Sequence, residues 1–435
     1  MTTTPSRSDA ASPGAASSGA KKSGAAPAAD AGAVLTTEHL RSIRLAALGL
    51  RGSSSVPGSQ SETVDALAQV GRRFLAMQGQ DFAAARWALG RRVPGATHGD
   101  VRAVLDSGLL VRSWPMRGTL HVVPGEDIGW VQDLTAERVT GASAQRRRNQ
   151  LGLDLSVIEQ AREIAVEVLE GHRALSRDEL VAVWQDRLPE LRAEWKYHLV
   201  WFLAQTGTLC LGPMLDDREQ ALVLVDEWVP EPRRLDREEA LVELARRYVQ
   251  SHGAVTSKDF VWWTGLPQRD LKLGLAGLGD AVTTVRGEDG VGYHVDAEAL
   301  ETVPDAPAEG EGGAPHALLL PAFDEYLLGY GDRSATLDPA HAPQVCPGGN
   351  GVFRPTVVVD GVTLGTWKRE PARAKDHGPR LTVLPFDARC ARRLRSRAVK
   401  GPLAAAARQY GRFLQAPSGA GVDDGPAVEV TVAAP

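Results

Sequence analysis

Two glutamines separated by one glycine, Gln78-Gly79-Gln80, have the clearest potential for chemistry in this sequence. Side chains at positions i and i+2 diverge on a helix, whereas they point to one side on an extended segment. Gly79 favours a non-helical break and lets a ligand approach the backbone closely. Paired carboxamides can hold and orient a water molecule, although they cannot strongly deprotonate it. The same pattern is also common in solvated loops, so it needs support from the rest of the chain.

Composition excludes several classes of protein. The three cysteines, Cys210, Cys346 and Cys390, are widely separated, and the ten histidines show no paired spacing. This pattern predicts neither a disulfide framework nor a zinc site, and we expect no metal and no cofactor. No apolar run is long enough to span a bilayer. Residues 1–33 are rich in Ala, Ser, Gly and Pro and lack the apolar core of a signal peptide. We therefore expect a disordered N-terminal tail and a cytoplasmic protein.

Charge is distributed unevenly along the chain. The formal net charge of −5 argues mildly against a general nucleic-acid binder. Residues 34–150 nevertheless contain 15 Lys and Arg against 10 Asp and Glu, a balance of +5, whereas residues 151–435 contain 31 against 42, or −11. The basic part can serve an anionic ligand, although solvated surface is the simpler explanation for any single arginine.

A series of helices followed by a β-hairpin recurs along the chain. Hydrophobic periodicity and turn signals predict the following elements in the three copies: helices 62–74, 82–92 and 97–107 with strands 109–116 and 119–123; helices 156–170, 176–188 and 195–206 with strands 208–211 and 221–225; and helices 237–252, 257–264 and 268–278 with strands 281–286 and 292–295. A repeat of this length predicts tandem winged helices.

The expected fold class is α+β, with three tandem winged-helix domains followed by a small C-terminal β-barrel-like domain that carries a helix over residues 388–413. The predicted boundaries are the tail 1–33, winged helix 1 at 34–135, winged helix 2 at 136–232, winged helix 3 at 233–303, a Glu/Gly/Pro/Ala-rich linker at 304–316, and the C-terminal domain at 317–435. The first winged helix contains the Gln-Gly-Gln segment.

Winged helices mostly bind DNA, with the wing on the phosphate backbone. The candidate DNA-binding residues lie in the first hairpin and in a following basic run: Arg112, Trp114, Arg117, Thr119, His121, Arg146, Arg147 and Arg148. Trp114 could instead pack in the core, and the arginine run could be a solvated helix face. Three winged helices in one chain remove the usual need for a dimer, so we expect a monomer.

Several segments of the sequence resemble the winged-helix DNA glycosylases of the AlkZ type, a group associated with azinomycin resistance. The similar stretches are Met77-Gln78-Gly79-Gln80-Asp81, Arg117-Gly118-Thr119-Leu120-His121, residues 320–330 with Asp332-Arg333-Ser334, and residues 350–355 and 365–367. The resemblance implies tandem winged helices with a β-barrel domain. It also implies that Gln78 and Gln80 are the catalytic glutamines of a Gln-Φ-Gln motif, in which Gly79 departs from the apolar middle residue.

The resemblance implies a monofunctional glycosylase that removes N7- or N3-alkylated purines from double-stranded DNA, with water positioned by the two glutamines. Bulky adducts and interstrand crosslinks of a DNA-alkylating natural product are candidate substrates. Asp81 could assist as a base or cap the next helix. Asp324, Glu325 and Arg333 could support the site or simply bind one another. Two alternatives remain open, a non-catalytic DNA-binding regulator and a protein that sequesters an alkylating drug.

Overall fold

The computed structural model describes residues 34–51, 55–303, 315–371, 378–415 and 428–435, without the side chains of residues 136–139. The predicted tail lies outside the described residues, as does most of the predicted linker. Among the described residues, no helix is long and apolar enough to cross a membrane.

The first unit, residues 34–135, contains the elements that surround the Gln-Gly-Gln segment. These are α1 (Thr37–Ala47), α2 (Gln60–Phe74), β1 (Met77–Gln78), α3 (Phe82–Arg91), α4 (His98–Asp106), β2 (Leu110–Met116), β3 (Thr119–Pro124) and the start of α5 (Ile128–Thr140). Local capping sets the helix starts: the Ser59 side chain accepts a hydrogen bond from the Glu62 amide, and Thr97 and Asp100 form a capping box. Strand β1 was not predicted as a separate element.

The second and third units repeat the order of helices followed by a hairpin. The second contains α6 (Ala142–Leu151), α7 (Leu155–Leu169), α8 (Arg177–Arg187), α9 (Lys196–Gln205), β4 (Leu209–Met214), β5 (Gln220–Leu224) and α10 (Val225–Trp228). The third contains α11 (Arg237–His252), α12 (Ser257–Thr264), α13 (Gln268–Leu278), β6 (Val282–Arg286), β7 (Gly292–Asp296) and α14 (Ala297–Thr302). The helices and strands of the predicted repeat are present within a few residues of their predicted bounds. Helices α5, α10 and α14 were not predicted, and the region of α6 was considered only as a possible helix face for the arginine run.

The hairpins of the first two units join into one five-stranded sheet in the order β1-β3-β2-β4-β5. Strand β2 pairs with β4 where Arg112 lies opposite Leu211. Strand β1 pairs antiparallel with β3, so that Gln78 lies opposite His121. The first hairpin is therefore an internal part of a shared sheet, which limits how many of its side chains can reach a ligand.

Helix α1 packs on the third unit, although the sequence assigned it to the first. Leu40 and Ile43 share an apolar cluster with Tyr293 and Val295 of β7. The buried Arg44 Nε donates a hydrogen bond to the Ala254 carbonyl at 3.1 Å. The amphipathic pattern of α1 predicts a helix with a buried face, but it does not identify the surface that covers this face.

The C-terminal unit is built on a second five-stranded sheet. Its elements are β8 (Ala317–Leu320), α15 (Glu325–Leu328), α16 (Ala342–Val345), β9 (Thr356–Val359), β10 (Val362–Arg369), β11 (Arg380–Pro385), α17 (Ala388–Leu394), α18 (Arg397–Phe413) and β12 (Glu429–Val432). The strand order is β12-β11-β10-β9-β8, with β8 and β12 at opposite edges. In the described part of the chain the sheet is therefore open, and the predicted barrel closure is absent. The helix predicted over 388–413 is divided in two at Arg395 and Ser396.

Two large apolar clusters hold the molecule together. The larger takes in side chains of the first unit, the third unit and the C-terminal sheet. The second cluster belongs mainly to α7, α8 and α9, and it also includes Trp114 and Leu120 of the first hairpin. The hairpin is therefore covered on both faces, because the second unit packs on the side that a lone winged helix would leave exposed.

Candidate active site

The Gln-Gly-Gln segment begins in strand β1 at the edge of the shared sheet, where Gln78 is extended as the sequence predicts, and it ends in a bend at Gln80. The Gly79 amide donates a hydrogen bond to the Leu120 carbonyl at 2.8 Å, which continues the pairing of β1 with β3. The Gln78 Oε1 accepts hydrogen bonds from the backbone amides of Gly79 at 2.9 Å and Gln80 at 3.0 Å. The Gln80 Oε1 accepts one from the Leu120 amide at 3.3 Å. Both carboxamides are therefore tied to the strand backbone.

These hydrogen bonds decide what the two amides can offer a ligand. A carbonyl oxygen has two lone pairs, and both lone pairs of the Gln78 Oε1 are used by backbone amides. The Gln80 Oε1 accepts a single bond and keeps one lone pair. Among the described residues, neither Nε2 group makes a hydrogen bond. Gln78 is half-buried and Gln80 is exposed. The pair can therefore donate from both Nε2 groups and accept through Gln80.

Gly79 is required by a close approach of two backbone segments. A Cβ at this position would lie 3.1 Å from the His121 carbonyl carbon and 3.2 Å from its Cα. These neighbours are backbone atoms of a paired strand and cannot move aside cheaply. The departure from an apolar middle residue therefore does not leave the segment loose, because strand pairing and the Gln78 side chain both hold Gly79.

Arg112 and Asp81 hold the two ends of the segment in place. The Arg112 Nε donates to the Gly79 carbonyl at 2.7 Å, and its guanidinium lies 4.6 Å from the centre of the Phe82 ring. Burial lowers the pKa of Arg112 to about 10. Asp81 caps α3 by accepting from the Ala84 amide at 3.0 Å, which agrees with the capping alternative. The guanidinium of Arg112 thus binds the Gln-Gly-Gln segment, and this position does not favour the predicted contact with DNA.

Glu325 is a buried carboxylate that supports Gln78 from the C-terminal unit. Its Oε1 accepts a hydrogen bond from the Gln78 amide at 3.0 Å, and its Oε2 accepts one from Trp263 Nε1 at 3.1 Å. The Oε2 also lies 3.4 Å from His252 Nε2. Burial alone would raise the pKa of Glu325, but the hydrogen bonds from His252 and the Gln78 amide outweigh it and lower the pKa. An ionised carboxylate therefore lies directly behind the first glutamine.

His121 and Trp114 are buried, which corrects their predicted contact with DNA. The side chain of His121 is fully inaccessible, and Trp114 is 5% exposed within the second apolar cluster. The His121 Nδ1 donates to the Thr119 carbonyl at 2.8 Å, and its Nε2 accepts from Arg117 Nη2 at 3.2 Å. Burial, with a smaller contribution from the Arg117 charge, lowers the pKa of His121 to about 3. His121 is therefore a neutral hydrogen-bond acceptor that orients Arg117.

The buried His121 predicts a loss of stability in mild acid. The unfolded chain protonates His121 near 6.5, whereas the folded chain does so only near 3. The unfolded state therefore binds more protons as the pH falls from 6.5 toward 3, and a one-proton difference lowers the free energy of unfolding by about 1.4 kcal/mol per pH unit. Denaturant unfolding at neutral pH and near pH 5 measures this slope. A His121→Gln variant should show a shallower slope by roughly one proton, and an unchanged slope would contradict the assignment.

The remaining predicted DNA-binding residues lie at or near the surface. Arg117 occupies the β2–β3 turn with a φ of 53°, and its Nη1 donates to the Trp262 carbonyl at 2.9 Å. Thr119 is half-buried, and its Oγ1 has no partner among the described residues. On α6, Arg146 and Arg147 are exposed, whereas Arg148 lies over the Phe202 ring at 5.4 Å. Arg117 and Arg147 line one cleft, so the structure brings part of the predicted basic set together.

Asp324 and Arg333 do not bind each other, which rules out one of the two alternatives. Both oxygens of Asp324 accept hydrogen bonds from the Arg92 guanidinium, at 3.0 and 3.1 Å, and both side chains are buried. The Arg333 guanidinium lies 5.2 Å from the Trp262 ring centre and 4.9 Å from that of Phe353. Asp324 therefore binds the C-terminal unit to Arg92 at the end of α3. Neither Asp324 nor Arg333 contacts the two glutamines directly.

One group of potential metal ligands occurs in the described part of the C-terminal unit. The ligand atoms of His341, Asp387 and Cys390 lie within 4.8 Å of one another. Burial and the neighbouring Asp387 raise the pKa of the Cys390 thiol to about 11. A protonated thiol is a poor ligand, because metals bind the thiolate. This group belongs to a different unit from the glutamine pair.

Comparison with known proteins identifies the family. A family model described as "DNA glycosylase AlkZ-like" matches residues 72–413, which is most of the chain. The chain belongs to the AlkZ-like family. The matched region contains the two glutamines, the first hairpin and Glu325.

A similar sequence and a similar solved structure, both from Streptomyces sahachiroi, fit this AlkZ-like assignment. An "Interstrand DNA cross-link repair glycosylase" is 28% identical over 283 residues, covering 61% of this chain and 72% of that protein. The solved structure of the S. sahachiroi DNA glycosylase AlkZ has a TM-score of 0.70 at 21% identity, covering 92% of this chain and 100% of that one. The structural likeness shows that the mixed helix and sheet fold is shared.

Sequence reasoning missed several residues around the AlkZ-like motif. Arg92, His252 and Trp263 hold Asp324 or Glu325 in place, but they come from three separate elements of the chain. The adjacent tryptophans Trp262 and Trp263 were the one signal in the sequence that could have drawn attention to this region. Their partners could not have been identified, since the contacts form only when the third unit and the C-terminal unit meet.

Proposed function

We propose that this AlkZ-like chain is a monofunctional DNA glycosylase that hydrolyses the N-glycosidic bond of N7- or N3-alkylated purines. The observation that carries the proposal is the fixed pair of carboxamides at Gln78 and Gln80, within a region that matches the family over residues 72–413. The S. sahachiroi relative is an interstrand DNA cross-link repair glycosylase, so we extend the proposed substrates to interstrand crosslinks. Double-stranded DNA is then the partner.

The proposed chemistry needs water positioning more than acid catalysis. An N7- or N3-alkylated purine already carries positive charge, so it is a good leaving group. Cleavage builds positive charge on the sugar, as in other glycosyl transfers. The remaining lone pair of the Gln80 Oε1 can accept a hydrogen from the attacking water, and the free Nε2 groups can donate to its oxygen or to a nearby phosphate. Placing the water in line with the anomeric carbon supplies the rate increase.

Electrostatics around the motif support the same role. The ionised Glu325 lies one hydrogen bond behind the Gln78 backbone, so negative charge is held close to the place where the sugar becomes positive. Glu325 is buried and does not reach the substrate, so it acts as a positioning residue through Gln78. A buried carboxylate also fixes the strand position before DNA binds, which avoids reorganisation during the reaction.

We propose that the three helix and hairpin units act as tandem winged helices along the DNA. The net charge of +5 over residues 34–150, the stretch that contains the two glutamines, supports contact with phosphates. Gln80 is exposed beside the edge strand β1. An open site of this kind suits a bulky or crosslinked adduct that could not enter a tight base-binding pocket.

An excision assay on a panel of duplexes tests the proposed function. The panel contains unmodified DNA, DNA with 7-methylguanine, DNA with a bulky N7 adduct, and a crosslinked duplex. We expect free alkylated base and an alkali-labile abasic site from at least one modified duplex, and nothing from unmodified DNA. Sequence-selective binding without base release from any duplex would favour a non-catalytic DNA-binding protein instead.

A further inference from the structure

A cleft of about 600 Å³ lies between the tip of the first hairpin, helices α6 and α9, and the segment that follows α12. Its volume falls within the range of about 300–1,000 Å³ typical of ligand-binding sites. The lining residues that matter here are Arg117, Arg147, Glu194, Tyr197, His198 and Trp201. The proposed glycosylase chemistry at Gln78 and Gln80 uses none of them.

Two aromatic side chains of the cleft are available for stacking. Tyr197 and Trp201 lie four residues apart on α9, so they share one face of that helix. Tyr197 is 56% exposed, and Trp201 is half-buried against the second apolar cluster. A large exposed ring beside a cleft is costly to leave in water, and proteins that bind unpaired nucleotides stack bases on such rings.

A buried polar atom in the cleft wall lacks a partner. His198 is 7% exposed, and its Nε2 has no hydrogen-bond partner among the described residues. Burial, together with the charges of Arg148 and Arg147, lowers the pKa of His198 to about 4. The imidazole is therefore neutral near pH 7. A buried polar group without a partner is expensive in a folded protein, which is consistent with a group that is satisfied by a ligand.

The charges around the cleft fit a nucleotide. Arg117 at the hairpin tip and Arg147 on α6 both line the cleft, and guanidinium groups bind phosphate well. Glu194 is the acidic member of the lining and could accept from an exocyclic amine of a base. The cleft thus combines two guanidinium groups, aromatic faces and hydrogen-bonding groups for a base edge.

The cleft is also close to the glutamine pair. Arg117 contacts His121, which lies opposite Gln78, and the Gln80 side chain bonds to the Leu120 amide. A β-strand advances by about 3.3 Å per residue, so the hairpin tip at Gly118 lies roughly 7 Å along the strand from Leu120. At about 3.4 Å per nucleotide along one strand of B-DNA, this distance corresponds to about two nucleotide steps.

We propose that this cleft receives a nucleobase that has left the DNA stack, with Tyr197 against its face and Arg117 and Arg147 on its flanking phosphates. The inference rests on the proposed function, since it assumes that the ligand is DNA at the adjacent glutamine pair. The base can come from the strand opposite the lesion, from the neighbouring position in the same strand, or from the alkylated nucleotide itself.

The first test compares Tyr197→Ala with Tyr197→Phe, which keeps the ring and serves as the matched control. Tyr197 is exposed, so neither substitution should disturb folding. Removing one stacked aromatic typically weakens single-strand contacts on the order of 10-fold. We expect Tyr197→Ala to slow the release of 7-methylguanine by about that factor, and Tyr197→Phe to leave it unchanged.

The second test identifies the base. Duplexes carry one 7-methylguanine and a 5-iodopyrimidine either opposite it or beside it, and the wild-type chain is irradiated in complex with each. Photocrosslinks form preferentially to stacked aromatic rings, and mass spectrometry locates the attached peptide. If a crosslink forms within α9, the position of the iodopyrimidine in that duplex shows which base enters the cleft. If Tyr197→Ala slows base release but no crosslink forms in α9, the base in the cleft is the alkylated purine itself. The absence of both a crosslink in α9 and an effect of Tyr197→Ala on base release would overturn the proposal.

Failure of the cleft and failure of the proposed function give different results. If wild-type protein releases alkylated base and Tyr197→Ala matches it without any crosslink in α9, the cleft is not a base site and the glycosylase proposal stands. If wild-type protein releases no base but crosslinks through α9, the cleft binds DNA and the glycosylase proposal falls.

Discussion

We expect the double substitution Gln78→Ala and Gln80→Ala to slow the release of 7-methylguanine from duplex DNA by at least about 100-fold. Removing one preorganised polar group from a transition state commonly costs about 10²–10³ in rate. Both carboxamides are held by backbone hydrogen bonds, so their side-chain groups are already placed before substrate binds. Single-turnover base release with excess enzyme measures the chemical step.

The two single variants should differ. Both lone pairs of the Gln78 Oε1 are used within the segment, so Gln78→Ala should also loosen the backbone between Gly79 and Gln80. Gln80→Ala removes the acceptor that can orient water together with one hydrogen bond from the Leu120 amide, so it should lower the free energy of unfolding less than Gln78→Ala does. Gln150→Ala, at an exposed position on α6, is the matched control. Base release by the double variant at the wild-type rate would contradict the proposed mechanism.

Replacing Glu325 by alanine should have the largest effect on stability. The Glu325 carboxylate accepts from the Gln78 amide and from Trp263 Nε1, and it lies beside His252, all at a site that is 2% exposed. Removing the carboxylate leaves these buried groups without a hydrogen-bond partner, which typically lowers the free energy of unfolding by about 3–5 kcal/mol. Denaturant unfolding of Glu325→Ala measures the loss.

Glu325→Gln separates a positioning role from a purely structural one. The glutamine can keep an oxygen for the Gln78 amide, so the loss of stability should be smaller than for Glu325→Ala. Some loss remains because the new NH₂ group faces the Trp263 and His252 donors. Because Glu325 acts through Gln78, kcat should fall while affinity for DNA stays near the wild-type value. Glu301→Ala, at an exposed position in α14, is the control. Equal loss of DNA affinity and kcat, or no loss of either, would contradict the assignment.

The sequence predicted most elements because their signals are local. Ser176 and Glu179 form a capping box where α8 was expected to begin, and α11, α12 and α13 have the predicted bounds. Capping residues, apolar periodicity and turn glycines act within a few positions, so they can be read without knowing the fold. The shared sheet and the packing of α1 were not predictable in this way, since they depend on contacts between units.

The candidate site was predictable in its centre and not in its surroundings. Gln78 lies in a strand, as expected from the glycine and the spacing, and its side-chain amide is preorganised, whereas the bend at Gln80 was not expected. Its support comes from Glu325, which is 247 positions away from Gln78 in the sequence. Trp114 and His121 looked like wing contacts because a lone winged helix exposes its hairpin. Here the second unit covers Trp114, whereas His121 is buried beside Arg117 and close to Glu325.

The most direct measurement is the amount of free 7-methylguanine released by the wild-type chain from a duplex with a single lesion, compared with spontaneous depurination of the same duplex. We predict release well above the spontaneous rate, with the DNA strand intact until alkali cleaves the abasic site. Stable binding of the duplex with release at only the spontaneous rate would contradict the account.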